Sequence, residues 1–135
     1  MSAIAQSVSV LSQAMNLRTM RHQVLASNIA NADTPHYKAR DFSFTAAMQN
    51  AMAGQGAGGL AMSRTAGGHQ QGDALNGSAF LQYRAETQSA VDGNTVDMDV
   101  ERTQISENAL QYQILTQLIG DKFKGMRTAL SSTQG

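Results

Sequence analysis

Residues 26–42, ASNIANADTPHYKARDF, predict the end of a helix followed by a turn in the chain. Asn28 and Asn31 lie about one helical turn apart, and the sequence Asp-Thr-Pro follows at 33–35. A proline disfavours helical dihedral angles in the residue before it, and Asn and Asp side chains bond readily to nearby backbone groups. We therefore expect the first helix to end near Ala32, where the chain turns into an extended arm.

Upstream of this turn, apolar side chains recur with helical spacing in two separate stripes. The first stripe comprises Ile4, Val8, Leu11, Met15, Leu25 and Ile29, and the second comprises Val10, Leu17 and Val24. A helix with two apolar stripes can contact more than one neighbour. The pattern predicts that this helix packs against other chains as well as within its own.

The helical pattern returns from Asp97 to about residue 130. Asp97 is predicted to cap this helix, and Asp99 and Glu101 are favourably placed near its positive N-terminus. The long apolar stripe of the helix comprises Ile105, Ala109, Tyr112, Leu115, Ile119, Phe123, Met126 and Leu130. We expect the two terminal helices to pair antiparallel in a mainly α fold, joined by an extended, hairpin-like arm and a flexible Gly-rich loop.

The apolar side chains that build a core are concentrated at the two ends of the chain. Leu, Ile, Val and Phe supply 25 of the 135 residues, and only four of them fall within residues 46–90. A single structural domain is therefore expected. Its predicted parts are an N-terminal axial helix (1–32), a corner motif and extended arm (33–46), a flexible Gly-rich loop (47–79), a return arm and turn (80–96) and a C-terminal axial helix (97–131).

Composition excludes several function classes. The formal net charge is zero, which gives no electrostatic basis for binding nucleic acid or an anionic membrane. The chain has no Cys, so it has neither disulfides nor a cysteine nucleophile. The start of the chain lacks the pattern of a cleavable signal peptide, and we expect that export would use a route without signal cleavage.

The sequence predicts no catalytic, cofactor or metal site. The three His residues lie in different contexts and without metal-binding spacing. Asp97 and Asp99 are explained by helix capping, and the acidic residues do not form the paired-carboxylate cleft that a wall-cleaving enzyme would need. We therefore expect a protein without enzymatic activity and without a small-molecule substrate.

The stretch LASNIANADTPHYKARDF (25–42) resembles the N-terminal signature of the flagellar rod and hook family of bacterial axial proteins. His36 stands where that family usually has Gly, so a left-handed backbone at this position would cost stability. The residues that match the family's assembly motif are Asn28, Ile29, Ala30, Asn31, Asp33, Thr34, Pro35, Tyr37 and Lys38.

A second stretch, VDGNTVDMDVERTQISENALQYQ (91–113), together with the ending GDKFKGMRTAL, resembles the proximal rod proteins of the FlgB type. Rod proteins of the FlgC type, and the distal rod and hook proteins, carry a different C-terminal pattern. The Gly-rich middle of the chain does not contribute to the resemblance. A FlgC-type rod protein and a cytoplasmic helical adaptor or export chaperone stay as alternatives.

The resemblance implies a structural subunit of the proximal rod of the flagellar basal body, located in the periplasm. Such subunits leave the cytoplasm unfolded through the flagellar type III export apparatus and assemble into a helical tube between the membrane ring and the distal rod. The implied partners are copies of the chain itself, other rod proteins, the membrane-ring adapter protein at the rod base and the export apparatus. No cofactor and no nucleic acid are implied.

Roles for particular residues follow as hypotheses. Asn28 and Asn31 would tie the helix end to backbone groups, and Lys38 and Arg40 would reach carboxylates across a subunit contact. The rings of Tyr37, Phe42 and Phe44 would anchor the arm on neighbouring helices. Packing between subunits is predicted for Val8, Leu11, Met15, Leu17, Val24, Leu25, Ile105, Tyr112, Leu115, Ile119, Phe123 and Met126.

Overall fold

A computed structural model describes residues 3–53, 81–85 and 91–131 of the chain. These residues form three helices and one two-stranded sheet. The elements in chain order are helix α1 (Ala3–Ala30), strand β1 (Arg40–Asp41), helix α2 (Phe44–Met52), strand β2 (Gln82–Tyr83) and helix α3 (Met98–Ser131). None of the described helices combines the length and apolar composition of a membrane span.

The two long helices, α1 and α3, lie side by side in opposite directions. Asn28, near the end of α1, contacts Glu101 in the first turn of α3. Ile4, near the start of α1, lines the same groove as Leu130 near the end of α3. The predicted antiparallel pairing of the terminal helices is confirmed.

The ends of these helices have local causes that the sequence already suggested. Asp97 caps α3, because its Oδ1 accepts hydrogen bonds from the backbone N–H groups of Asp99 (3.0 Å) and Val100 (3.2 Å). Helix α1 ends at Ala30, and a short turn carries the chain past Ala32, close to the predicted end.

Helix α2 corrects the prediction that the extended arm continues to residue 46 and that a flexible loop begins at 47. Residues 44–52 are helical instead. Ser43 caps this helix by accepting a hydrogen bond from the N–H of Ala46, and the segment is rich in Ala, which favours helix. Ala47 is buried, so the segment contributes to the core. The remainder of the predicted loop up to residue 79 lies outside the described residues.

The return arm pairs with the outgoing arm in a short antiparallel sheet. Arg40 lies opposite Tyr83, and Asp41 lies opposite Gln82. The pairing continues one residue further, where the N–H of Arg84 donates to the carbonyl of Ala39 at 2.9 Å. The hairpin-like arm of the predicted fold is therefore present.

A small core lies between α1, the arm and α2. Its centre is Leu17, Phe42 and Ala47, against which Phe44, Met20, Val24, Met48 and Leu81 pack. Leu17 was predicted to pack between subunits, and the same prediction was made for Leu25, which is fully buried. Both side chains are buried within the chain, and Leu17 is covered by Phe42 of the arm and Ala47 of α2.

The aromatic rings of the arm contact the helix of their own chain, which corrects the prediction that they anchor on neighbouring helices. Phe42 is buried in the core. The ring of Phe44 lies under the guanidinium of Arg18, 3.7 Å from Cζ to the ring centroid. The arm folds back on α1, so these rings reach it first.

Candidate functional site

The corner of the molecule, where the arm leaves α1 (residues 28–42) and meets the start of α3, is organised around the side chain of Asn28. Asn28 is fully buried. Its Nδ2 donates to the carbonyl of Arg40 at 2.7 Å, and its Oδ1 accepts from the N–H of Arg40 at 3.0 Å. The Oδ1 also accepts from the hydroxyl of Tyr37 at 3.2 Å. As expected, this amide ties the end of the helix to backbone groups of the arm.

The second Asn of the motif closes the turn locally. Nδ2 of Asn31 donates to the carbonyl of Ser27 at 2.8 Å. Oδ1 of Asn31 accepts from the hydroxyl of Thr34 at 3.2 Å. Asp33 and Pro35 lie exposed at the tip of the turn. The motif residues at 31–35 therefore stabilise the reversal of the chain.

A residue from the distant C-terminal half completes this turn. The Nδ2 of Asn94 lies 3.0, 2.8 and 2.9 Å from the carbonyl oxygens of Asn31, Ala32 and Thr34. The carbonyls of Asn31 and Thr34 also accept from the N–H groups of Thr34 and Tyr37 within the turn, so the Asn94 amide adds a further donor just beyond the end of α1. Sequence reasoning missed Asn94 because the tripeptide at 92–94 indicated only a turn. Its side chain caps another element instead.

His36 occupies the left-handed backbone region, with φ of 62°. Its N–H donates to the carbonyl of Asp92 at 3.0 Å. Gly93, which also has a positive φ of 73°, lies against the imidazole so closely that an added Cβ would stand 2.9 Å from His36 Nδ1. The position does require a left-handed backbone, and a side chain there costs stability.

Four alternating charges join the arm to both long helices. Arg21 on α1 donates from Nε and Nη2 to the two carboxylate oxygens of Asp41, at 2.9 and 2.8 Å. Arg84, beside β2, donates to Asp41 at 3.1 Å and also to Glu101 on α3. Gln104 accepts from Arg21 at 2.6 Å. We call Arg21, Asp41, Arg84 and Glu101 the charge network.

Within the charge network, the carboxylate of Glu101 has the highest desolvation cost, because it is fully buried. Its Oε1 accepts from Arg84 and, at 3.2 Å, from Asn28, while its Oε2 has no hydrogen-bond partner among the described residues. A buried carboxylate is stable only with a paired cation. Sequence reasoning assigned Glu101 to the helix N-terminus, and nothing in its local spacing indicated Arg84 as its partner.

The charge network shifts the pKa of Asp41. Burial alone would raise this pKa, but hydrogen bonds from Arg21, the N–H of Phe42 and Arg84 lower it below its ordinary value. The hydrogen bond with Asp41 correspondingly raises the pKa of Arg21, against the effect of burial. The ion pair therefore favours the corner whenever Asp41 is ionised.

The other predicted motif residues lie around this centre. Ile29 is half-buried, and Lys38 is exposed. Arg40 is also exposed, and its Cζ lies 5.9 Å from the centroid of the Tyr83 ring within the same chain. The predicted subunit contacts of Lys38 and Arg40 stay predictions. Among the described residues, no group of three or more His, Asp or Glu side chains is placed to hold a metal ion.

At the opposite end of the helix pair, which we call the open end (residues 4–12 and 118–130), apolar side chains line two surface grooves. One groove, of about 680 Å³, lies between Ile4 and Val8 on one side and Phe123, Met126 and Leu130 on the other. The second, of about 460 Å³, is lined by Val10, Leu11 and Leu118 among others. Phe123 is 54% exposed, so the chain itself leaves these surfaces accessible.

The residues predicted to pack between subunits are thus distributed unevenly. Val8, Leu11, Phe123 and Met126 line the two grooves of the open end. Tyr112 is partly exposed in a third, polar groove beside Arg18 and Asn108. The residues that are half-buried along the helix pair are Met15, Val24, Ile105, Leu115 and Ile119.

The two glycines of α3 stand in open space. An added Cβ at Gly120 or Gly125 would meet nothing within 4 Å. An added side chain at either glycine would therefore meet no described part of the chain.

Comparison with known proteins identifies relatives of this chain. A model of the family described as "Flagella basal body rod protein" matches residues 9–38, which include most of α1 and the corner motif. The flagellar basal body rod protein FlgB of Salmonella typhimurium is 44% identical over 87% of this chain and 88% of that protein. The FlgB protein of Escherichia coli is 46% identical over 89% of both chains, and that of Cereibacter sphaeroides is 39% identical over 96% of this chain and 98% of that protein. The chain therefore belongs to the FlgB family of flagellar basal body rod proteins.

Proposed function

We propose that the chain is a structural subunit of the proximal rod of the flagellar basal body, where it joins copies of itself and other rod proteins in a helical tube. Membership of the FlgB family supports the rod assignment and favours it over a FlgC-type protein or a cytoplasmic adaptor. The observation that carries the assembly role is the open end, where long helices present apolar side chains that the described part of the chain does not cover.

Exposed apolar surface on α3 is extensive. Each Å² removed from water contributes about 25 cal/mol, so contiguous patches of this kind mark interaction surfaces. Grooves on two sides of the open end would let one subunit contact neighbours in two directions, as a tube requires. The large exposed apolar residues of α3 are Leu110, Tyr112, Ile114, Leu118, Phe123 and Leu130.

The proposal extends to export and partners. The family relationship and the small core support passage through the flagellar type III export apparatus in an unfolded state, without signal cleavage. The partners at the rod base would be the membrane-ring adapter protein and other proximal rod proteins. The role is structural, without catalysis, as expected for a subunit whose polar clusters are engaged in holding the corner.

The assembly role is tested by placing a charge in the open end. The variant Phe123→Glu, expressed in the parent bacterium lacking its own copy of the gene, should abolish swimming and the recovery of rods in isolated basal bodies. A buried carboxylate without a partner is too costly for the interface to form. The purified variant should unfold at the same urea concentration as the parent, because Phe123 is largely exposed in the single chain.

The matched control is Gln117→Glu, which adds the same charge at an exposed position of α3 outside both grooves. Cells with this variant should swim normally. Normal rods with Phe123→Glu, or equal loss with both variants, would contradict the assembly role of the grooves.

Export is tested separately by following the parent chain in cells with a disabled flagellar export gate. Retention in the cytoplasm is expected. If the chain reached the periplasm equally well without the gate, the proposed route would be wrong, whereas the rod assignment would still be judged from the basal bodies.

A further inference from the structure

Helix α3 faces α1 with two chemically different stretches. Toward its C-terminal end the facing side chains are apolar, as at Leu118, which meets Leu11 across a groove. Toward its N-terminal end, buried or half-buried polar side chains recur at the three- and four-residue spacing of a helix-pairing face, beside the half-buried Ile105. We call this stretch the polar seam, and its members are Glu101, Gln104, Asn108 and Gln111.

Asn108 is the member of the polar seam that lies deepest between the helices outside the charge network. It is 1% exposed. Its Nδ2 donates to the carbonyl of Arg18 at 2.9 Å, in the middle of α1. Its Oδ1 is buried and has no hydrogen-bond partner among the described residues, and the same is true of Oε1 of Gln111. An unsatisfied buried polar atom lowers stability, so Asn108 is not the residue that would stabilise this helix pair best.

A leucine at this position would avoid that cost, since apolar replacements of buried polar groups are often neutral or stabilising. A polar side chain in a helix pair has another use, because its hydrogen bond is made in one alignment only. The guanidinium of Arg18 packs on the ring of Phe44, so the side chain of Arg18 leaves its backbone carbonyl accessible. Asn108 reaches this carbonyl of Arg18 in the observed alignment.

The corner contacts of Glu101 with Asn28 and of Gln104 with Arg21 align the start of α3, but they leave the alignment of the rest of the helix pair to other contacts. Apolar contacts are not directional, so the open end would tolerate sliding of one helix past the other or exchange of α3 between two copies. We propose that Asn108 fixes the register of α3 against α1 and thereby keeps α3 paired with the α1 of its own chain. The open end is then left as the surface available to other copies.

The test uses the full chain, which has no Cys, so that two introduced cysteines carry spin labels at defined sites. Gln23→Cys on α1 and Gln117→Cys on α3 are both exposed. Pulsed electron paramagnetic resonance measures the distance between the two labels and should give one narrow distance distribution in the parent chain. Asn108→Leu should broaden this distribution or add a second population, because only the corner contacts then align α3 with α1. Mixing singly labelled chains should also raise the inter-chain signal at least about twofold.

The matched control is Asn16→Leu, which adds the same apolar side chain at an exposed position of α1. It should keep the single distance of the parent. The melting temperature of Asn108→Leu should equal or exceed that of the parent. A single unchanged distance in Asn108→Leu would overturn the proposal, and so would a loss of helix content or a lower melting temperature, since Asn108 would then serve stability rather than register.

Discussion

The two ends of the α1–α3 pair differ in which side chains they bury and which they expose. At the corner, buried polar side chains from both halves of the chain bond to one another, with Asn28 and Glu101 fully enclosed. At the open end, large apolar side chains such as Phe123 and Leu130 stay exposed. The corner is held by contacts within one chain, whereas the open end leaves exposed apolar surface that we propose neighbouring subunits cover. Such a subunit has a corner with a defined structure at one end and exposed apolar surface at the other.

The largest expected effect on this comparison is removal of the amide at the centre of the corner. Asn28→Ala should lower the free energy of unfolding by about 4 kcal/mol, because the N–H and carbonyl of Arg40 and one bond to Glu101 lose their partner together. Urea unfolding followed by circular dichroism measures the loss. The control Asn16→Ala, on the exposed face of the same helix, should change stability little. Equal effects of the two variants would mean that the corner is not what stabilises the single chain.

The next effect concerns the charge network. Arg84→Met should cost about 3 kcal/mol, because it leaves the buried carboxylate of Glu101 without its cation. The double variant Arg84→Met with Glu101→Leu should recover at least half of this loss, since no unpaired charge then remains. Stability of the double variant below that of the single variant would show that the pair itself, rather than the burial of a lone charge, dominates.

Acid should weaken the corner more than the open end. This effect should be smaller than the effects of Asn28→Ala and Arg84→Met. The folded-state pKa of Asp41 is lowered, so its ion pair contributes fully at pH above about 4 and is lost as the pH falls through the lower folded value. The free energy of unfolding of the parent should fall in this range, and that of Asp41→Asn should fall less. Asp33→Asn, in the exposed turn, is the control and should follow the parent. A parallel decline of the parent and Asp41→Asn would rule out this contribution.

The smallest expected effect is a gain at the tip of the corner. His36→Gly should stabilise the chain by about 1 kcal/mol, because glycine adopts a φ of 62° without the steric cost of a side chain. Thermal unfolding measures the shift. In contrast, Gly93→Ala should destabilise it, since the new Cβ would lie 2.9 Å from His36 Nδ1. A loss of stability in His36→Gly would show that the imidazole contact with Gly93 outweighs the backbone strain.

The sequence predicted those features of the molecule whose causes are local. The end of α1 follows from the Asn and Pro residues around the turn, and the start of α3 follows from Asp97. The antiparallel pairing follows from two helices with apolar stripes, joined by a middle segment that contains few large apolar residues. The left-handed position of His36 was also foreseeable, because the family resemblance placed a glycine there.

The features that the sequence did not predict have two causes. Some depend on contacts between residues far apart in the chain, and others on neighbouring residues that obscure a local pattern. Helix α2 is short and precedes a Gly-rich stretch, so its Ala-rich face was interpreted as loop. No local pattern singled out Arg84, and Asn94 was assigned only to a turn. The fold shows that Arg84 meets a carboxylate and that Asn94 meets backbone carbonyls. Leu17 and Leu25 were assigned to subunit contacts because their covering segments were not recognised.

The closure of the corner by Asn94 has a consequence for the order of folding. The hydrogen bonds that complete the corner join residues 62, 73 and 83 positions apart in the sequence, which is a high contact order for a mainly helical chain. Long loops must close before these bonds can offset the entropy that closure costs, so the turn motif at residues 28–36 cannot reach its final structure by itself. A chain that is truncated before residue 94, or has not yet been released as far as that residue, lacks the groups that finish the turn. The corner therefore cannot be completed until the chain has been released at least as far as residue 104.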